Sequence, residues 1–193
     1  MSYNFFAYMA RMKLIRRWSL MKSVSDENIA EHSAQVAQIA HALALIKNRM
    51  FGGNLNADRI ASAALYHETS EVLTGDLPTP IKYYNPEIRQ SYKSIEKVAN
   101  DKLLSMLPNE LREDYRTLVE LDENSYEYRL VKAADKISAY IKCLEEMKSG
   151  NREFAKAEKT LKKEVDSLCS LEEVKYFCDT FLPTFKKTLD ELE

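Results

Sequence analysis

Apolar residues recur along this chain at alternating intervals of three and four, with no sustained polar/apolar alternation of the kind a half-buried strand produces. The clearest stretch sets His32, Val36, Ile39, Leu43 and Ile46 on one stripe of a helix. This pattern predicts an all-α fold. Only four glycines and five prolines punctuate 193 residues, so hairpins, many short strands and Gly-rich phosphate loops lack material. No repeat, low-complexity segment or Gly/Ser-rich linker divides the chain, and the expectation is a single domain over residues 1–193.

Local signals place the helices. One is expected from about Asn4 to Ile15, followed by a connection through Arg16, Arg17, Trp18, Ser19 and Leu20. Asn28 can cap the next helix, with Glu31 completing a capping box, and Gly52 and Gly53 end it near Arg49. Asn56 caps a helix expected over Ala57–Thr69, and a long irregular stretch through Gly75, Pro78 and Pro80 follows, of a length that is usually functional. Asn85-Pro86 starts a helix to about Met106, and Pro108 opens a shorter one. A long helix from Asn124 or Ser125 ends before Gly150, and two or three more complete the chain, with a break at Pro183.

Charge and cysteines narrow the setting. With 28 basic and 30 acidic side chains the net charge is −2, a poor match for a nucleic-acid polymer, which is bound by neutralising many phosphates. A small phosphorylated ligand stays compatible. Cys143, Cys169 and Cys178 follow neither a disulfide nor a zinc-knuckle spacing, and reduced thiols are expected. Residues 1–10 show no signal-peptide pattern, and no apolar run approaches the roughly 18 residues that span a bilayer. The expected localisation is cytoplasmic, with no membrane partner.

Imidazole chemistry must draw on His32, His41 or His67, the three histidines. His41 lies nine positions beyond His32, which at about 100° per residue puts it roughly opposite on the same helix, so the two cannot share one ion. A lone inward histidine is ordinarily a hydrogen-bonded core residue. Here, however, the chain also offers Tyr66-His67-Glu68-Thr69-Ser70-Glu71, where a carboxylate adjoins the imidazole and Glu71 follows at i+4, on the same face if the helix persists. Asp135 sits among small residues in Ala133-Ala134-Asp135-Lys136-Ile137-Ser138-Ala139. Together His32, His67, Glu68 and Asp135 supply two nitrogens and two carboxylates from three helices, a set suited to one divalent ion of the manganese, cobalt, iron or zinc class.

At this point the sequence resembles the HD-domain phosphohydrolases, and more narrowly the bacterial 5′-deoxynucleotidases. The resemblance runs over nearly the whole chain. It rests on Lys13-Leu14-Ile15-Arg16-Arg17-Trp18, Glu31-His32-Ser33, Ile46-Lys47-Asn48-Arg49, Phe51-Gly52-Gly53-Asn54 and the string from Ser70 to Pro80. It implies a helical bundle of the HD-domain type, one divalent metal, a homodimer, and removal of phosphate from deoxyribonucleoside 5′-monophosphates. It further implies that Glu71 is the catalytic acid/base, and that Arg17 and Trp18 as a pair position phosphate and help discriminate deoxyribose from ribose. Asp76 contacts the sugar, Thr79, Pro80, Ile81 and Lys82 form a substrate-binding loop, and His32 and Asp135 serve substrate as well as metal. Without the resemblance, Arg17 and Lys82 read as surface charges and Trp18 as packing.

One position departs from the pattern. The family's second histidine is followed by Asp, and here it is followed by Glu68, whose extra methylene moves the carboxylate outward by roughly 1.5 Å, comparable to the precision a functional site demands. Retained metal with altered affinity or preference is expected. Two alternatives stay open: an HD phosphohydrolase acting on another nucleotide or phosphomonoester, and a nucleotide-binding protein impaired in catalysis by Glu68. The string His67-Glu68-Thr69-Ser70-Glu71 also resembles the opening of a zinc-peptidase helix. That reading needs a second histidine where Glu71 stands, and leaves His32 and Asp135 unexplained.

Overall fold

A computed structural model describes residues 2–82 and 84–192, apart from the side chains of Thr79 and Pro80. Among the described residues the regular structure is helical: α1 (Phe5–Met9), α2 (Ile29–Met50), α3 (Ala57–Leu65), α4 (Glu71–Thr74), α5 (Thr79–Lys82), α6 (Pro86–Leu104), α7 (Asn109–Val119), α8 (Tyr126–Lys148), α9 (Ala155–Leu168) and α10 (Glu172–Thr180). Short 3₁₀ turns follow α1 and α10 and precede α9. An isolated antiparallel bridge joins Arg16 to Asn28.

The starts of the long helices follow from their caps. The Asn28 side chain accepts from the amides of Ala30 and Glu31, and Glu31 returns to the Asn28 amide, a complete capping box. Asn56, Asn85 and Ser125 cap α3, α6 and α8 more simply, each accepting from one amide, of Arg59, Ile88 and Tyr128 respectively.

Two expected helices are shorter in the structure. The first ends at Met9, where the Arg11 amide turns back to the Tyr8 carbonyl at 2.8 Å and the tighter bond breaks the α-helical ladder. The helix expected to reach Thr69 ends at Leu65; Tyr66, His67 and Thr69 donate to carbonyls three residues back instead of four. His67 and Glu68 therefore stand on a turn, and the i+4 argument for His67 and Glu71 fails as geometry. A second mechanism brings Glu71 into the same neighbourhood: its amide donates to the Glu68 carbonyl at 3.0 Å as the chain re-enters a helical turn at α4.

The core forms where α2 packs against α3, α8 and α10, with α9 on the other side of α8. Leu43, Ile60, Leu130, Ile137 and Ile141 are fully buried there, each worth about 1.5–3 kcal/mol of transfer free energy. A smaller cluster around Phe5, Leu103, Leu104 and Leu107 takes in Tyr66 and Val72, and so braces the turn that carries His67. On α8, Lys132, Asp135, Ser138, Lys142 and Glu146 succeed one another at intervals of three, three, four and four. This spacing makes them one polar seam along α8.

Candidate metal centre

Three elements deliver the centre. His32 lies in the second turn of α2, fully buried. Asp135 lies midway along α8, and His67 and Glu68 occupy the turn after α3. One ligand atom from each of His32, His67, Glu68 and Asp135 falls within 4.8 Å of every other. The His32 and His67 rings are 5.4 Å apart between centroids. The four residues expected from sequence as ligands are thus brought together.

Hydrogen bonds set the ring tautomers. The Ser138 hydroxyl donates to Gln35 Oε1 at 2.6 Å, so its oxygen accepts from His32 Nδ1–H at 3.1 Å. In the neutral ring that leaves the Nε2 lone pair of His32 facing Asp135 Oδ1 at 3.0 Å, two acceptors that a cation between them would join. His67 repeats the arrangement: Nδ1–H donates to the Ala64 carbonyl at 2.7 Å, and the buried Nε2, which makes no hydrogen bond, lies 3.3 Å from Glu68 Oε1. Two imidazoles held through Nδ1 and aimed through Nε2 at two carboxylates are the donor set that a divalent ion requires. By this test the residues present fit a metal.

Electrostatics agree. Burial, assisted by the Arg17 charge, lowers the pKa of His32 and favours the neutral ring. Burial works against the charge on Asp135, but the His32 contact when Nε2 carries a proton, together with the Lys132 charge, outweighs it and holds Asp135 well below the usual carboxylate range, so this carboxylate favours a cation, proton or metal, on the Nε2 side. Glu71 is 3% exposed, and its Oε2 has no hydrogen-bond partner. Burial first, and the Glu68 carboxylate second, push its pKa far above the ordinary range, so that it carries a proton at neutral pH.

The expected substrate residues surround this cluster unevenly. Burial works against the charge of Arg17, while Asp135, Glu27, Glu68 and Asp76 all stabilise it. Its guanidinium therefore lies in the field of the centre. Trp18 packs against Phe154, ring centroids 5.3 Å apart. Asp76 is partly buried, and burial followed by the Glu68 charge raises its pKa against the opposing Arg17. Ile81 is exposed on α5. Lys82 shares one groove with His67 and Glu68, where its Nζ donates to Glu96 Oε1 at 2.9 Å and sits 4.7 Å over the Tyr92 ring. The side chains of Thr79 and Pro80 lie outside the described residues. His41 faces away from the centre and meets Asp58 at 3.4 Å, as its helical phase requires.

Four contributors escaped the sequence reading. Ser138 and Gln35 set the His32 tautomer. Glu27 contacts both Arg17 and Trp18. Lys132, one turn before Asp135, lines a groove of about 780 Å³ that opens beside His67 and Glu68. Ser138 and Lys132 had a legible signal, since both stand three residues from Asp135 on its helix face. Gln35 and Glu27 had none that distinguishes them from surface residues.

A family model described as YfbR-like 5′-deoxynucleotidase matches residues 4–185. A 5′-deoxynucleotidase of Vibrio vulnificus is 58% identical over 190 residues, covering 98% of this chain and 97% of that protein. One from Vibrio cholerae matches with the same identity and coverage. Among solved structures, an HD-domain phosphohydrolase from Listeria innocua superposes with a TM-score of 0.83 at 24% identity, covering 95% of this chain and 88% of that one. The cyanophage S-2L HD phosphohydrolase DatZ, solved with dA and one catalytic Zn2+ ion, superposes with a TM-score of 0.60 at 21% identity, covering 94% and 96%. The fold is that of the HD-domain phosphohydrolases, and with the family match and the full-length identity the chain belongs to the YfbR-like 5′-deoxynucleotidase family.

Proposed function

We propose that this chain is a metal-dependent 5′-deoxynucleotidase that hydrolyses deoxyribonucleoside 5′-monophosphates to deoxynucleoside and phosphate. The observation that carries the reading is the convergence of His32, His67, Glu68 and Asp135, with both imidazole Nε2 lone pairs turned inward. These residues would hold one divalent ion of the manganese, cobalt, iron or zinc class. Such an ion, when bound, polarises a phosphoryl oxygen and lowers the pKa of a water molecule. The names of the relatives, 5′-deoxynucleotidases at 58% identity, support the substrate class.

The remaining chemistry falls to the chain's own side chains. Arg17 offers its guanidinium to the phosphate, whose planar fork suits two oxygens at once. Trp18 forms a rigid wall beside the sugar, Asp76 meets the sugar hydroxyls, and the segment Thr79–Lys82 closes the site through Thr79, Pro80, Ile81 and Lys82. His32 and Asp135 face substrate as well as metal. Glu71, protonated by its burial, holds the proton that the departing 5′ oxygen takes as the P–O bond breaks.

The reading extends to one domain over residues 1–193, working as a homodimer in the cytoplasm. Exposed Ile95 and Val98 on α6 are compatible with an interface between copies, and three free cysteines with a reducing compartment. Glu68 reaches the other ligands despite its extra methylene, which favours an active enzyme over a catalytically impaired binder. Metal analysis of the purified protein, followed by phosphate release from deoxy- and ribonucleoside monophosphates, tests the proposal. Bound metal with no release from any nucleotide overturns it.

A further inference from the structure

The connection from Ile15 to Asn28 is unusually well fixed for a surface loop. Its base is closed by the Arg16–Asn28 bridge, by the Arg17 amide donating to the Glu27 carbonyl at 2.9 Å, and by the Ile29 amide donating to the Ile15 carbonyl at 3.0 Å. Its far end is held by α8: the amides of Val24 and Ser25 donate to the Glu146 carboxylate at 2.8 and 3.2 Å, and Lys142 Nζ donates to the Ser25 carbonyl. Within it Trp18 adopts φ +59°, a left-handed conformation that bulky side chains adopt only under constraint.

The constraint has an identifiable source. A single oxygen, Glu27 Oε2, accepts from Arg17 Nε at 3.0 Å and from Trp18 Nε1 at 2.9 Å. Arg17 and Glu27 are only 12% and 13% exposed, so the pair is shielded from solvent and from salt. Because Nε is engaged with Glu27, the opposite edge of the guanidinium, Nη1 and Nη2, has no hydrogen-bond partner among the described residues. Trp18 is meanwhile fixed on its other side by Phe154. Two side chains of different chemistry, one suited to phosphate and one to a flat sugar face, are thus locked to each other through one atom.

The geometry points to Glu27 as a specificity-determining positioning residue: by holding Arg17 and Trp18 on one oxygen it fixes the spacing between the phosphate grip and the sugar wall, and so the discrimination between deoxyribose and ribose. This inference rests on the reading that Arg17 and Trp18 contact substrate. Misplacement by about 1 Å in a positioned site costs up to roughly 100-fold, and a 2′-hydroxyl is excluded only by a wall that cannot retreat. Freed from Glu27, the indole can leave its strained backbone conformation and admit the hydroxyl.

The test compares kcat and KM for matched deoxy- and ribonucleoside monophosphates in the metal-loaded protein and in Glu27→Ala, Glu27→Gln, Trp18→Ala and Arg17→Ala. Glu27→Ala is expected to raise KM for the deoxynucleotide and to cut the deoxy-to-ribo ratio of kcat/KM by about 10- to 100-fold. Glu27→Gln, which keeps an acceptor at the same reach, is expected to recover part of that ratio. In the Trp18→Ala background, Glu27→Ala should change the ratio no further. Equal losses for both sugars, with the ratio intact, overturn the inference. If Glu27→Ala does not fold, the ratio in Glu27→Gln decides alone, an unchanged ratio counting against it. Should Trp18→Ala and Arg17→Ala themselves leave binding and the ratio unaltered, the underlying substrate reading falls and takes the inference with it; if they alter both and Glu27→Ala does not, only the role of Glu27 falls.

Discussion

The Nε2 atom of His32 and the Oδ1 atom of Asp135 face each other at 3.0 Å across the α2–α8 interface, and the proton that could join them is committed on the other side of the ring, to Ser138. The relationship predicts a role for Ser138 that its size conceals. Ser138→Ala removes the acceptor for Nδ1–H and lets the ring take the opposite tautomer, with its proton toward Asp135. Metal affinity should fall by about 10- to 100-fold, as for other outer-shell partners of ligating histidines. A competition titration against a chelator measures it; wild-type affinity in the variant contradicts the tautomer assignment.

Glu68 stands where the resemblance to the HD-domain phosphohydrolases implies Asp. Its carboxylate already lies with the side chains of His32, His67 and Asp135, so Glu68→Ala should abolish stoichiometric binding, whereas Glu68→Asp should retain one ion per chain. Metal content after gel filtration distinguishes the two. A fully loaded Glu68→Ala protein means that three residues suffice and that Glu68 is a bystander.

How much of this was legible in the sequence depends on whether the signal was local. The caps Asn28, Asn56, Asn85 and Ser125 act within three residues of themselves, and each helix begins where they stand. The facing of His32 and His41 followed from helical phase alone, and the structure places them accordingly. The end of α3 was misplaced because its apolar spacing continues past Leu65, while the decision to turn is made by tertiary packing of Tyr66 against Phe5 and Tyr115. Glu27 and Gln35 were invisible for a related reason. Their roles depend on residues nine and 103 positions away in the chain, and no periodicity of their own helix or loop marks them.

Glu71 should separate chemistry from metal binding. It is buried beside Glu68 and carries a proton at neutral pH, but it is not among the four converging ligands. Glu71→Ala should lower kcat by about 100- to 10,000-fold, the usual worth of a positioned general acid or base, and leave metal content intact. Loss of the ion in this variant reassigns Glu71 to the metal shell. Because its pKa is raised, the protonated form persists to higher pH than for an ordinary carboxyl, and the activity that depends on its proton should decline on the alkaline side of the profile.

His41 offers the opposite case. It is partly exposed and its ring meets Asp58, itself almost wholly solvated, at 3.4 Å. An exposed pair of this kind contributes little. His41→Ala should leave metal stoichiometry and turnover unchanged and shift stability by no more than about 0.5 kcal/mol. Differential scanning fluorimetry and metal analysis check both; an emptied centre invalidates the facing argument for α2.

The seam on α8 ends in a pair that ties stability to acid pH. Lys142 and Glu146 are almost fully buried, with Nζ and Oε1 in direct contact, and Glu146 also accepts from Val24, Ser25 and Asn151. Burial alone would raise the Glu146 pKa; the Lys142 contact and the amide donors outweigh it and bring it down to about 2. A carboxyl whose pKa is lower folded than unfolded adds stability above its unfolded value of 4.5, and that stability is lost as pH falls from there toward 2. Glu146→Gln should destabilise the protein at pH 7 by about 2 kcal/mol, in the range for hydrogen bonds to charged groups, and should flatten the stability profile between pH 4.5 and 2. Urea denaturation at a series of pH values reads both effects. A variant that keeps the wild-type acid slope places the acid sensitivity in other carboxylates and makes the α8 anchor of the Trp18 loop dispensable for folding.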